Sequence, residues 1–340
     1  MGAVVAIRGS GGSILVQAAE MVTPDRFATF RQLGLPVLAI TARRAETLKA
    51  RAYDGDIARL RVPADADCRW VRATADPAQD MTFPMKGPYA SERDGSADTA
   101  RAAIALCKSA HLLPAAMIVQ TEQAAALALE SDLTCLEAEM VRDRPSVLTE
   151  VSAARVPTTF SGHGRVHVFR PDDGGEEHYV VEIGTPERPG PVLARLHSAC
   201  FTGDVLGSLK CDCGPQLRAA LQSIGDQGSG VLLYLNQEGR GIGLANKMRA
   251  YALQDAGFDT VEANHRLGFE DDERDFRIGA EILKRMGFDK VRLMTNNPAK
   301  VAMMQANGVT VAERVSLQVG RTPENAGYLD TKARKSGHIL

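Results

Sequence analysis

His197-Ser-Ala-Cys200-Phe-Thr-Gly-Asp-Val-Leu-Gly-Ser-Leu-Lys-Cys211-Asp-Cys213 is the stretch on which the reading of this chain turns. Three thiolates converging on one point repel one another unless a cation neutralises them, and zinc is the cation that suits sulfur ligands. Three protein sulfurs leave the fourth tetrahedral position open for water, which separates a catalytic centre from a closed structural one. Metal-assisted hydrolysis is therefore the expected chemistry. A disulfide between Cys211 and Cys213 would close an unusually tight loop, and nothing in the sequence points to an oxidising compartment. His197 reads either as a fourth ligand or as a hydrogen-bonding group behind the site. Cys68, Cys107 and Cys135, scattered singly through apolar surroundings, read as small buried hydrophobes.

Downstream of the cluster a strand, a polar turn and a helix recur. Pro215 to Ile224 reads as a helix with proline in its first turn, and Val231 to Leu235 as a buried strand. Asn236-Gln-Glu-Gly-Arg-Gly-Ile-Gly243 follows, then a helix from about Leu244 to Ala256 stopped by Gly257. Phe276 to Met286 reads as a further helix, Val291 to Met294 as a strand, and Thr295-Asn-Asn-Pro298 as the cap of a last helix ending near Gly308. Upstream of the cluster, His178 to Ile183 and Val192 to Leu196 read as strands. Chemistry is expected on the turns that follow the strands.

The first half alternates apolar runs (Ser13 to Val16, Pro36 to Ile40, Ala115 to Val119) with helical stretches such as Asp98 to Ser109 and Gln123 to Glu130. That alternation indicates an α/β (α+β) layer architecture. The Thr, Ser and Gly-rich segment from Thr158 to Gly164 places an expected boundary near residue 157, giving domains 1–157 and 158–340. A length of 340 residues allows two domains, each with its own core.

The charges nearly cancel, 40 basic against 42 acidic, which leaves no broad electrostatic footprint for nucleic acid. Arg8, a run of glycines and Glu20 interrupt the opening residues before they reach signal-peptide or membrane-span length. Ala6 stands where a myristoylation motif wants Ser or Thr. A cytoplasmic protein is expected, with neither nucleic acid nor membrane as partner.

Singly, the remaining polar motifs admit plain readings. Gly239-Arg-Gly-Ile-Gly243, between a strand and a helix, can hold phosphate on backbone N–H groups, with Arg240 and Lys247 as nearby cations, but it lacks the spacing of a dinucleotide fingerprint or a P-loop. Asp271-Asp-Glu-Arg-Asp275 reads as a solvated turn, and Tyr251 as helix packing.

Together they are more specific. His197-Ser-Ala-Cys-Phe-Thr-Gly-Asp, Ser208-Leu-Lys-Cys-Asp-Cys-Gly, Gln237-Glu-Gly-Arg-Gly-Ile-Gly-Leu, Arg249-Ala-Tyr-Ala-Leu-Gln-Asp, Asp259-Thr-Val-Glu-Ala-Asn and Thr295-Asn-Asn-Pro-Ala-Lys resemble GTP cyclohydrolase II, and Tyr328-Leu-Asp-Thr-Lys-Ala-Arg-Lys-Ser-Gly-His338 fits the same family. The resemblance runs from about Pro191 to Leu340. It implies opening of the guanine imidazole ring of GTP, with formate and pyrophosphate expelled and the diaminopyrimidine precursor of riboflavin left. It implies zinc on Cys200, Cys211 and Cys213, magnesium on the triphosphate, and a homodimer. By the same likeness Arg274 matches an arginine held to attack the α-phosphate, Asp272 its neighbouring acid/base and Tyr251 an assisting tyrosine. A clamp on the leaving pyrophosphate fits Arg274 equally well, because arginine is ordinarily locked in its cationic form. Arg195, Gln216, Glu238, Arg240, Thr295 and Lys300 match nucleotide-contacting positions, with Glu238 suited to the guanine N1–H and amine. Asn236 and Ala199 depart from the family pattern, where arginine and glutamate are usual.

Ala18-Ala-Glu-Met-Val-Thr-Pro-Asp and Gly34-Leu-Pro-Val-Leu-Ala-Ile-Thr look like dihydroxybutanone phosphate synthase, but that enzyme's acidic metal-binding run and its Arg-Pro-Gly-His loop are missing. The first domain is expected to be catalytically silent. Two further readings stay beside the first. One is a zinc hydrolase acting on another nucleotide; the other is a zinc-stabilised scaffold. The sequence speaks against a zinc deaminase, since no His-x-Glu paired with Pro-Cys-x-x-Cys occurs.

Overall fold

The computed structural model describes residues 2–141, 146–160 and 162–325; the Tyr328 to His338 motif lies outside them. The chain divides into two compact units, one of Met1–Arg144 with Ile242–Glu273, the other of Pro145–Gly241 with Arg274–Leu340.

The first unit is built on six strands, β1 (Val5–Gly9), β2 (Gly12–Ala18), β3 (Val37–Thr41), β4 (Ile57–Arg61), β5 (Ala115–Gln120) and β6 (Cys135–Glu137), in the order β4-β3-β5-β2-β1-β6. Every neighbouring pair is antiparallel except β1 with β6. Helix Asp98–Ser109 covers one face of this sheet with Ala100, Ala103, Ile104 and Cys107. The opposite face packs Phe30, Leu38, Leu60, Trp70 and Met117 together with Ile242, Ala250, Leu253, Leu267 and Phe269 from the returning segment.

The second unit is built on seven strands, β7 (Leu148–Arg155), β8 (Gly164–Pro171), β9 (His178–Ile183), β10 (Val192–Ser198), β11 (Gly230–Leu235), β12 (Lys290–Met294) and β13 (Thr310–Val315), in the order β13-β12-β10-β11-β9-β8-β7. The run from β13 to β11 is parallel, and β9, β8 and β7 continue it antiparallel. A parallel pair needs a crossover that covers a face. Helix Cys213–Gln227 supplies it between β10 and β11, and helix Arg277–Arg285 lies between β11 and β12. Side chains alternate across a strand, so β10 gives Val192, Ala194 and Leu196 to one core and Leu193 to the core under helix Cys213–Gln227. Arg195 and His197 share the Leu193 parity.

The strands and helices expected from the sequence are present with ends shifted by a few residues. Helix Thr260–Leu267 was not anticipated; a capping box, Asp259 with Glu262, starts it and left-handed Gly268 ends it. The expected domain division near residue 157 differs from the packing. Thr158 to Gly164 joins β7 to β8, two strands in direct register from Leu148↔Pro171 to Arg155↔Arg165. Residues 242–273, expected to belong with the second domain, bury their apolar face in the first unit instead.

Candidate active site

The parallel strands β10, β11 and β12 end at one edge of the second sheet, and each delivers functional residues immediately past its last pair. After β10 come Ala199 and Cys200, after β11 Asn236, Gln237 and Glu238, and after β12 Thr295, Asn296 and Asn297.

Cys200 precedes the short helix Phe201–Asp204, and Cys213 begins the crossover helix. This brings the sulfurs of Cys200, Cys211 and Cys213 within 4.8 Å of one another, with Cys200 and Cys211 3.7 Å apart. Gly203 makes room for them. A Cβ there would lie 2.8 Å from Cys211 Sγ and 2.9 Å from Cys213 Cβ, closer than side chains come, and 3.1 Å from Cys200 Sγ. Three clustered sulfurs around a glycine where a Cβ would crowd them fit a thiophilic cation, and zinc takes such a set. The Cys211 thiol is pushed up by its hydrogen bond with Cys200 and further by burial, as expected of thiols that ionise together only when a cation compensates them. Elsewhere Cys107 is buried and pushed up to about 12 by desolvation, whereas Cys68 is half-buried and Cys135 exposed, so the buried-hydrophobe expectation holds for Cys107 alone.

His197 is not in the sulfur set. Its Nε2 lies 3.0 Å from Asp204 and its ring stacks on Tyr234 at 5.5 Å. Burial keeps the His197 imidazole below its ordinary value, and burial first, then the Asp204 charge, pushes the Tyr234 phenol up. Asp204 also accepts from Cys200 N and from Tyr234 Oη, each at 3.0 Å.

A cationic group surrounds this edge. Arg195 is buried, donates to Met294 O at 2.8 Å and to Gln216 Oε1 at 2.5 Å, and is held down to about 10 by desolvation. Its Nε–H has no partner, the arrangement expected of a donor reserved for a ligand oxygen. Gln216 in turn donates to Asp212. The Arg274 guanidinium lies over the Phe276 ring at 4.8 Å and donates to Ser198 Oγ at 3.3 Å. Lys300 Nζ approaches the same ring at 5.0 Å and donates to Leu196 O. Thr295 is buried, its N–H bonded to Val315 O and its Oγ1 to Asn297 N.

Glu238 accepts from Phe201 N at 2.5 Å and from its neighbour Gly239 N, which ties the turn after β11 to the thiol loop. Gly239 and Arg240 both take positive φ, near 63° and 62°; the glycine does so without strain, the arginine does not. Asn236 spends its side chain on Glu177 O at 2.6 Å and its N–H on His178 Nδ1, and Ala199 donates its N–H to Leu235 O. Both departures from the family pattern are thus built into the strand ends.

Of the expected residues, the second unit brings together Cys200, Cys211, Cys213, Arg195, Gln216, Glu238, Thr295, Lys300 and Arg274, and also contains Arg240. Tyr251 and Asp272 belong to the first. Tyr251 has Lys247 Nζ 5.7 Å from its ring, and Asp272 is exposed two residues before Arg274. Phe276, Ser198, Gly203 and Asp204 were not singled out from sequence, although Thr202-Gly-Asp204 stands inside a quoted motif. A carboxylate four residues after a cysteine gives no sign that it folds back onto that cysteine.

The family model for GTP cyclohydrolase II matches residues 149–316. A GTP cyclohydrolase-2 from Azospirillum brasilense is 46% identical over 352 residues, covering 100% of this chain and 91% of that protein. GTP cyclohydrolase-2 from Enterobacter sp. (strain 638) is 54% identical over 57% of this chain and 98% of its own length, and that from Azotobacter vinelandii 55% identical over 56% and 91%. A solved two-domain 3,4-dihydroxy-2-butanone 4-phosphate synthase from A. baumannii aligns over 94% of this chain and 96% of its own, at TM-score 0.32 and 14% identity, too distant to bear on fold or function.

Proposed function

The chain belongs to the GTP cyclohydrolase II family, and from that premise we propose that it hydrolyses GTP, opening the imidazole ring with release of formate and pyrophosphate in riboflavin biosynthesis. The observation that carries the proposal is the three-sulfur cluster flanked by a buried arginine with an unused donor, since this reaction needs both water activation and a hold on phosphate.

Cys200, Cys211 and Cys213 would hold zinc, which when bound supplies a Lewis acid and lowers the pKa of its water to about 7. The rest falls to the chain's own groups. Arg195 offers its Nε–H to a phosphate oxygen, and burial strengthens that charge-assisted bond. Lys300 and Arg240 add positive charge for the triphosphate. Glu238 faces the base, accepting from the guanine N1–H and exocyclic amine. Thr295 and Gln216 line the nucleotide, Gln216 by fixing the Arg195 fork.

The Arg274 guanidinium sits over the Phe276 ring and donates to Ser198 Oγ. That setting favours a clamp on the charge developing on the leaving pyrophosphate over a nucleophile, which would have to shed a proton. Asp272 serves as acid/base two residues away, and Tyr251 assists. Magnesium travels with the triphosphate, the protein is a cytoplasmic homodimer, and the synthase-like first half has no catalysis of its own. Among the described residues no helix is long and apolar enough to cross a membrane. Relatives that match over little more than half of this chain while spanning nearly all of their own length support assigning the chemistry to the second half.

The test is to incubate the zinc-loaded protein with GTP and magnesium and follow formate and pyrophosphate together, with ATP, UTP and CTP in parallel. Both products from GTP alone are expected; turnover of another nucleotide, or of none, contradicts the reading.

A further inference from the structure

Two backbone N–H groups open the thiol loop, Cys200 N and Phe201 N, and each is bound by a carboxylate, from Asp204 and Glu238 respectively. The two carboxylates differ. Glu238 lies on the turn assigned to the nucleotide, whereas the Asp204 side chain is only 2% exposed and turned back into the sheet.

Register explains where it points. His197 of β10 and Tyr234 of β11 are direct partners, and Tyr234 is in turn the partner of Tyr179 on β9. Alternation puts all three rings on one face, where His197 stacks on Tyr234 at 5.5 Å and Tyr234 on Tyr179 at 6.5 Å. The ring row ends in two polar atoms, Tyr234 Oη and His197 Nε2, that both meet Asp204.

Three donors therefore converge on one carboxylate: an amide N–H, a phenol O–H and an imidazole N–H. All three meet Oδ2, and His197 Nε2 also lies 3.1 Å from Oδ1, so an asparagine with its oxygen in the Oδ2 place would set its own N–H against His197. The Cys200 backbone is thereby fixed to the sheet through this carboxylate, and with it the direction in which Cys200 Sγ leaves.

We propose that Asp204 is the positioning residue of the thiol centre, using His197 and Tyr234 to lock Cys200 in its ligating orientation. This rests on the reading of the three cysteines as a zinc site. Groups that orient metal ligands typically change metal affinity roughly 10- to 100-fold when removed.

The experiment is a zinc titration of the metal-stripped full chain against a chromogenic chelator, for the wild type, Asp204→Asn, Tyr234→Phe and the exposed control Asp226→Asn. Cobalt is loaded in parallel to read the thiolate-to-cobalt charge-transfer band. Expected are a zinc Kd weakened about 10- to 100-fold in Asp204→Asn and several-fold in Tyr234→Phe, an altered cobalt band in Asp204→Asn, and wild-type behaviour in the control. Wild-type affinity with an unchanged cobalt band in both variants would overturn the inference. Should Asp204→Asn not fold, Tyr234→Phe decides alone, because it deletes one donor and leaves the carboxylate in place. A wild-type chain that takes up no zinc would overturn the zinc reading itself, an outcome distinct from one in which wild type and variants bind alike.

Discussion

The two units bury positive charge in opposite ways. In the first, Arg44 is 1% exposed and grips Asp80 with both terminal nitrogens, Lys86 donates to the same carboxylate, and Arg59 forks onto Asp54. In the second, Arg195 is also buried but is met by a carbonyl and an amide oxygen, with Nε unused. A buried cation closed by a carboxylate serves the fold; one that lacks such a partner is poised for an anion from outside. On the proposed function, the first set holds the fold and the second binds substrate.

The strongest way to break it is through the thiols. Cys211→Ser should lose bound zinc and lower formate release from GTP roughly 10³-fold or more, while Cys107→Ser, outside the three-sulfur cluster, should keep its metal; metal analysis beside a formate assay checks both. The arginines come next. Arg44→Met should cost about 3–5 kcal/mol of stability, because Asp80 loses its two-pronged partner and the buried Thr74 carbonyl loses its donor. Arg195→Met should leave the melting temperature within a few degrees and lower kcat/KM for GTP about 10- to 100-fold. The reverse pattern in denaturant melts and steady-state kinetics would sink the comparison.

A third effect is set by pH. His178 is buried, held down to about 4 by desolvation, and uses Nδ1 to accept from Asn236 N. The folded value lies below the ordinary 6.5, so its contribution is complete above about 6.5 and is lost as pH falls toward 4. Stability should drop across that window by at most about 3 kcal/mol, and His178→Gln should flatten the fall in a series of thermal melts. The smallest change tests the space between the sulfurs. Gly203→Ala should weaken zinc about tenfold through crowding alone, read by chelator competition.

Much of the second sheet was legible in the sequence, since its strands are short apolar runs closed by Gly, Pro and Asn, and the cysteine spacing carried the three-sulfur cluster. The placement of residues 242–273 was not. Ile242, Ala250 and Leu253 show only that a helix has an apolar face, and which sheet receives it depends on packing that no local pattern encodes. The Asp204 contacts were hidden for a related reason. They depend on the pairing of His197 with Tyr234, and register between strands some forty residues apart cannot be read from either one.

The claim that the second unit's thiol edge performs the chemistry is tested most directly by titrating zinc into the metal-stripped full chain while following formate release from GTP. Release should rise in proportion to bound zinc and level off at one zinc per chain. Formate released at full rate before zinc is added, or none released with one zinc bound, would contradict the account.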